Sequence, residues 1–497
     1  MKVNNNRFIS AFLFISLVTA SLISCGDHSS NVTDSDTTAA NEENTVAVTE
    51  QLDALEARQL VDDELEDVDF GGRTFRILGD DACTDFYIIE EQTGDVLDDA
   101  VYERNLAVTE RFNITLEAEV FDENQMSKQL KNSVMAADDA YQLFSGHIIY
   151  AGNAVCDNVY YNLYDIPHIN FDKPWWSQSN IEDLTYDGKA FIAMGDFALT
   201  TISSTYAFYY NKQIAAEYDM ADMYSIVNEG KWTVDKLSEI SKEVYRDLNG
   251  NGSKDENDMY GFTMWARSPV NTFLWSFGEK LGKKQPDGTI ILDYYNDKVI
   301  EIYQKLYELF CVNETTYSLT GMEHDPIIKQ MFMNNHSLFT ADTFEFASKY
   351  LRDFETDYGI IPYPKWDEKQ EEYYTMVDGG HEGIAIPVSV ADPDFVGTIT
   401  EALNAESYKR TIPVYYDIVL KTKGSRDEES VTMLDMIFDG RIFDFGYVYG
   451  EFGAAFWPQF LIEKKSPDIA SYYEKNHKKY DEKMADAITF FEEYEHE

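Results

Sequence analysis

Arg73-Thr74-Phe75-Arg76-Ile77-Leu78-Gly79-Asp80-Asp81 is the stretch on which the fold turns. Its residues alternate as a half-buried strand requires, and it stops at a Gly-Asp-Asp turn. Downstream, residues 96 to 112 set Leu97, Val101, Leu106 and Val108 among polar neighbours, which predicts an amphipathic helix. Residues 114 to 120 then read as a strand, and residues 141 to 150 as a further strand and turn. This rhythm predicts an α/β fold with a mostly parallel sheet covered on both faces. Ligands of such sheets sit beyond the carboxyl ends of the strands, so Asp80 and Asp81 are candidate ligand-binding residues, with capping of the turn as their competing role.

Toward the amino end the composition changes. Residues 26 to 66 hold twelve Asp or Glu against one basic residue, with Ser, Thr and Asn between them, and read as a flexible acidic tether. Before it, Lys2 and Arg7 precede an apolar run over residues 8 to 23, the pattern of a secretory signal. That run ends in Leu22-Ile23-Ser24-Cys25-Gly26, which resembles the lipobox of bacterial lipoproteins. The resemblance implies a signal over residues 1 to 24, a diacylglyceryl group on Cys25, and attachment to the outer side of the cell membrane. No second apolar span follows.

The roughly 430 residues beyond the tether exceed what one core usually serves, so two lobes are expected. A net charge of −50, from 90 acidic and 40 basic residues, argues against nucleic acid as a partner. Cys83, Cys156 and Cys311 show no metal-ligand spacing and allow at most one disulfide. The 34 Tyr, 31 Phe and 7 Trp make up 14% of the chain; most must pack the core, yet such rings also suit stacking against a sugar.

A family resemblance emerges from six segments in order. Ala207-Phe208-Tyr209-Tyr210-Asn211-Lys212, Lys231-Trp232-Thr233-Val234-Asp235-Lys236-Leu237 and Asp258-Met259-Tyr260-Gly261-Phe262 resemble the middle of extracellular solute-binding proteins of sugar-type ABC transporters. Met331-Phe332-Met333-Asn334-Asn335-His336-Ser337-Leu338-Phe339 and Tyr358-Gly359-Ile360-Ile361-Pro362-Tyr363-Pro364-Lys365 resemble its later segments, and Gly379-Gly380 with Ile384-Ala385-Ile386-Pro387 its return to the first lobe. The resemblance implies a two-lobed periplasmic-binding-protein-like fold of type II with a hinge between the lobes. The first lobe would span residues 67 to 205 plus 365 to 400, the second 206 to 364, and residues 401 to 497 would form helices packed on both. The crossovers would lie near residues 204 to 210 and 362 to 378. It further implies a sugar or oligosaccharide in the cleft, delivery to ABC transporter permease subunits, and no catalysis.

Cleft residues follow from position in that family pattern. Besides Asp80 and Asp81, the first lobe would offer His147, Tyr150 and Asn153 after the third strand, and Trp176 of the Trp175-Trp176 pair. The second lobe would offer Arg267, Asn271 and Trp275, then Asp342, Phe344 and Glu345. Phe344 stands where relatives commonly carry a stacking tryptophan. His381 and Glu382 sit in a glycine-rich return, and Trp457 is a late aromatic candidate.

One loop carries separate chemistry. Asp247, Asn249, Asn251, Ser253, Asp255 and Asp258 occupy positions 1, 3, 5, 7, 9 and 12 of an EF-hand-type calcium loop, with Gly252 at position 6. Asp258 replaces the usual glutamate and Lys254 the usual apolar residue, both of which weaken a calcium site; a plain Asn-Gly turn is the alternative. After residue 400, residues 401 to 408, 431 to 438 and 469 to 494 read as helices. A surface glycoside hydrolase, or a sensory or adhesive protein on the same fold, are the competing functions; no serine elbow and no His-Glu-x-x-His helix is present.

Overall fold

A computed structural model describes residues 55 to 424 and 427 to 495. The expected signal, Cys25 and most of the tether lie outside the described residues. From Leu55 onward the chain forms one compact unit.

The strands in chain order are β1 (Arg73–Asp80), β2 (Ile114–Phe121), β3 (Leu143–His147), β4 (Tyr206–Asn211), β5 (Tyr245–Arg246), β6 (Met259–Trp265) and β7 (Gly282–Lys284). They continue with β8 (Ile290–Leu292), β9 (Thr316–Leu319), β10 (Ser337–Thr343), β11 (Tyr358–Ile361), β12 (Thr375–Met376), β13 (Glu382–Ala385) and β14 (Arg441–Ile442). Two sheets carry the architecture. The first has the order β13-β3-β1-β2, parallel except for β13, which runs against β3 with Glu382 opposite His147. The second has the order β11-β4-β10-β6-β5, with β9 also paired to β6. In it β4 is antiparallel to β10 and β11, while β6 is parallel to β10 and β9.

Local chemistry explains the elements. The Val96–Phe112 helix starts where the Asp95 carboxylate accepts from Leu97 N, and stops where Asn113 turns left-handed at φ 46°. Thr233 caps the Val234–Ser241 helix in the same way. The third expected late helix runs over Ile469–Glu493. The first begins earlier than its sequence suggests, at Pro393, because Asp392 caps it and proline suits a first helical turn.

The lobes are joined by segments lying side by side. Asp378 N donates to Ser204 O at 2.8 Å, Thr205 bridges Val377, and Thr375 Oγ1 donates to Tyr206 O at 2.8 Å. On the other flank β12 pairs with β14, which adds a third crossing strand. An apolar cluster combines first-lobe Val101 and Leu199 with second-lobe Tyr209, Phe344, Phe346 and Ile360. Cys83, Cys156 and Cys311 are free thiols. No described helix is long and apolar enough to cross a membrane.

Candidate functional site between the two sheets

The carboxyl ends of β1, β2 and β3 and the start of β13 meet at one rim of the first sheet. Asp80 closes β1; it is 5% exposed, and its carboxylate accepts from Ala82 N at 2.9 Å while Asp81 stands exposed beside it. Both roles weighed for Asp80 are thus compatible, since one oxygen caps the turn. At the end of β3, His147 packs on the Tyr150 ring at 4.5 Å, and its Nε2 lies 3.7 Å from the Glu123 carboxylate. Its Nδ1 has no hydrogen-bond partner among the described residues. Burial pulls the His147 pKa down to about 4, so the ring is neutral at pH 7.

Asp378 joins this rim to the second sheet. It lies on the second crossing segment, where Tyr206 Oη donates to its Oδ2 at 2.6 Å and Gly380 N to its Oδ1 at 2.8 Å. Tyr206 is the first residue of β4, so one hydrogen bond connects the hinge to the second lobe. Carboxylates gather here. Burial raises the Glu123 pKa, and the negative charges of Asp80, Asp122, Asp378 and Asp81 raise it further.

The second sheet presents Trp265 at the end of β6 and Asp342 near the end of β10. The Trp265 indole is partly exposed and donates to Gly321 O at 2.8 Å, which fixes its plane; the Arg267 guanidinium lies 5.8 Å from the ring centre. Lys329 stands 3.5 Å from Asp342 and 2.7 Å from Asp325. Burial pushes Asp342 up to about 7, against the downward pull of Lys329. Glu345 pairs with Lys349 just beyond.

Other sequence-derived candidates lie inside the protein. Trp175 and Trp176 are both buried and donate their indole N–H groups to Glu401 at 2.9 and 3.0 Å, so the pair holds the Pro393–Glu406 helix rather than an open cleft wall. Phe344 is 0% exposed in the cluster that joins the lobes. Asn271 donates to Gln459 at 3.0 Å and Trp275 to Asp444 at 2.9 Å, while buried Trp457 packs edge-on against Tyr303. These contacts fasten the Ser268–Ser276 helix and its neighbours to the carboxyl-terminal segment. Their apolar rings were absorbed by packing, the commonest fate of aromatic residues. Glu382 is fully buried below the rim, accepting from Tyr87 Oη, Ser145 Oγ at 2.9 Å and Thr200 Oγ1 at 3.0 Å. His381 is buried against the Asp378 carbonyl, and Asn153 is partly buried in the Ile148–Ala154 helix.

The residues that sequence reasoning missed are Glu123, Asp378, Tyr206 and Trp265. Trp265 ends a strand already recognised, and Asp378 directly precedes the Gly379-Gly380 pair, so both were within reach. Tyr206 was not, because its partner is 172 residues away.

In the 247–258 loop each carboxylate is engaged by its neighbours. Asp247 accepts from Gly250 N at 2.7 Å and Gly252 N at 2.9 Å; Asp255 accepts from the Asn249 and Asn251 side chains at 3.1 and 2.7 Å. Asp258 is fully buried and accepts from Leu248 N and Tyr245 Oη, and Ser253 N donates to Asn251 Oδ1 at 2.6 Å. Among the described residues no group of three or more His, Cys, Asp or Glu is placed to hold a metal ion. The loop as drawn is a hydrogen-bonded turn, and a cation would have to turn both asparagine amides.

Two α/β sheets joined by crossing strands, with polar groups gathered at facing sheet ends, define a two-lobed binding protein. The family model for bacterial extracellular solute-binding proteins matches residues 107–407, and the chain belongs to that family. Among solved structures, a cyclo/maltodextrin-binding protein complexed with maltotetraose is similar over 85% of this chain and 97% of its own, at 15% identity and a TM-score of 0.53. The maltose/maltodextrin-binding domain of Bdellovibrio bacteriovorus, bound to maltotriose, is similar over 84% and 98%, at 15% identity and TM-score 0.50. A solute-binding protein from Agrobacterium radiobacter K84 in complex with ribitol is similar over 85% and 100%, at 14% identity and TM-score 0.50. At these identities the likeness concerns the fold. No curated protein matches the sequence.

Proposed function

We propose that this chain is the lipid-anchored, extracytoplasmic receptor of a sugar uptake system: it captures a sugar or oligosaccharide between its lobes and delivers it to ABC transporter permease subunits. The observation that carries this reading is the Asp378 cluster. Carboxylates at Asp80, Asp81, Glu123 and Asp378 offer acceptors for hydroxyl groups, neutral His147 offers a further polar edge, and Trp265 offers an aromatic face at the end of β6 on the second sheet. Arg267, Asp342 and Glu345 complete the set from the second lobe. A polyhydroxylated ligand satisfies both rims only when the lobes approach, so binding favours closure about the crossing segments. Sugars and polyols bound to proteins of similar fold agree with this reading.

A thermal-shift screen of mono- and oligosaccharides tests it. A true ligand at about 100 times its dissociation constant stabilises the folded state by about 2.7 kcal/mol. Asp378→Asn keeps the shape but removes the charge, and should weaken that ligand by about tenfold, or ~1.4 kcal/mol. A screen in which only non-sugar solutes raise the melting temperature rejects the ligand class. The same screen run with and without calcium tests the 247–258 loop: added stability with calcium, lost in Asp247→Ala, is the expected result for an occupied site, and no change rejects it.

The anchor is tested separately. Cys25→Ala is expected to abolish labelling with a radioactive fatty acid and to leave the 1–24 signal uncleaved. Labelling that persists in the variant would sink the lipid anchor.

A further inference from the structure

A cavity of about 270 Å³ lies beside the third crossing strand, apart from the Asp378 cluster. The first lobe contributes Trp176, Ser177, Asp196 and Thr201 to its wall, and the crossing segment contributes Arg441 and Phe443. Asp196 and Arg441 in its wall do not pair with each other, and Asp439 is a third ionisable group there. Among the described residues no hydrogen-bond donor or ion-pair partner reaches the Asp196 carboxyl group, although Arg58 and Arg441 act on it at longer range. The Arg441 guanidinium is held in place by Phe438 O at 3.0 Å, Thr201 O at 3.2 Å and the Phe438 ring beneath it, and among the described residues no carboxylate reaches it at ion-pair distance, although Asp439 and Asp196 act on it at longer range. A partly buried carboxyl group and a guanidinium that face one cavity without meeting are both poorly solvated. Something that presents a cation to one and an anion to the other relieves both.

We propose that this cavity is a second binding site, for a small zwitterion of the free amino acid type, whose ammonium group pairs with Asp196 and whose carboxylate pairs with Arg441. The volume suits a small amino acid, and the hydroxyls of Ser177 and Thr201 at the wall offer further polar partners. Burial raises the Asp196 pKa to about 8, and an ammonium partner is what holds that carboxylate ionised at neutral pH. Since β14 pairs with β12 on the crossing segment, a zwitterion here would tie the first lobe to that segment.

The test is calorimetric titration of the full chain with glycine, L-serine and L-glutamine, alongside serinamide and N-acetylserine, which each lack one of the two charges. At least one zwitterion is expected to bind saturably, and both blocked forms to bind at least about tenfold more weakly. Asp196→Asn keeps the shape and should lower affinity by a similar factor while leaving sugar binding in the cleft unchanged. Arg441 also supports two backbone carbonyls, so Asp196→Asn is the discriminating variant. Absence of binding by all three amino acids overturns the proposal. So does binding that survives Asp196→Asn; if it is then lost in Asp378→Asn, the amino acid occupies the cleft, and it is the sugar reading that fails as well.

Discussion

Asp444→Ala is expected to destabilise the protein by about 4 kcal/mol or more, the largest single effect predicted for any one side chain. Asp444 is 2% exposed, and its two oxygens accept from Trp275 Nε1, Gly282 N and Gly446 N at 2.9 Å each, and from Leu281 N. Each buried N–H left without a partner costs about 1–3 kcal/mol, and four would be orphaned together. Neighbouring effects do not add fully, which sets the estimate below their sum. Water has little room to substitute. A Cβ on Gly282 would come within 2.7 Å of Gly446 N, and one on Gly446 within 2.7 Å of Gly282 N, so the two backbones touch where the carboxylate clamps them. Asp444→Asn keeps one acceptor oxygen and should lose about half as much. Urea unfolding monitored by tryptophan fluorescence measures both, and a loss below about 1 kcal/mol for the alanine variant contradicts the clamp.

The elements that the sequence displays well are those written in local chemistry. The bounds of the Val96–Phe112 helix were legible to the residue because its cap and its left-handed Asn113 are local signals, but its apolar stripe was misread at Leu106, which is exposed while Arg104 and Asn105 are buried. β1 was legible for the same reason, running two residues beyond Leu78 into the Gly-Asp turn. The start of the Pro393–Glu406 helix was not, since Gly397, Thr398 and Thr400 are poor helix formers overridden by burial against Pro167, Phe75 and their neighbours. Position after a strand was enough to place Asp80, His147 and Asp342 at the ends of their strands. It could not separate an aromatic ring that faces a cleft from one that fills a core. Trp176, Trp275 and Trp457 read as cleft candidates, and their partners Glu401, Asp444 and Tyr303 are each far away in the chain. The third crossing strand was invisible for a related reason: Arg441–Ile442 is two residues long, and only pairing with Thr375–Met376 makes it a strand.

Stability should fall by about 2.5 kcal/mol between pH 6.5 and pH 8, because three carboxyl groups acting in the same direction outweigh two buried histidines. Burial raises Glu401 from 4.5 to about 7, although the indoles of Trp175 and Trp176 hold it down, and raises Asp342 from 3.8 to about 7. Burial likewise raises Asp196 from 3.8 to about 8. The sign follows from proton uptake. Over this range the folded protein still holds protons that the unfolded chain has already released, so raising the pH favours unfolding. The stabilisation is complete below about pH 4 and is lost as pH rises through 7 and 8. Below pH 6.5 the picture is mixed, because burial pulls His147 and His381 from 6.5 down to about 4 and their effect has the opposite sign. Between 6.5 and 8 the carboxyl groups outweigh the two histidines, which offset only about 0.8 kcal/mol of their effect. Urea midpoints at the two ends of that window measure the slope, and an unchanged or rising midpoint contradicts it. Glu401→Gln supplies the internal control. It cannot ionise and leaves one of two indole N–H groups without an acceptor, so it should be less stable at pH 6.5 by about 1–3 kcal/mol. It should also lose roughly a third of the pH dependence, a signature that a purely steric defect at the tryptophan pair does not produce.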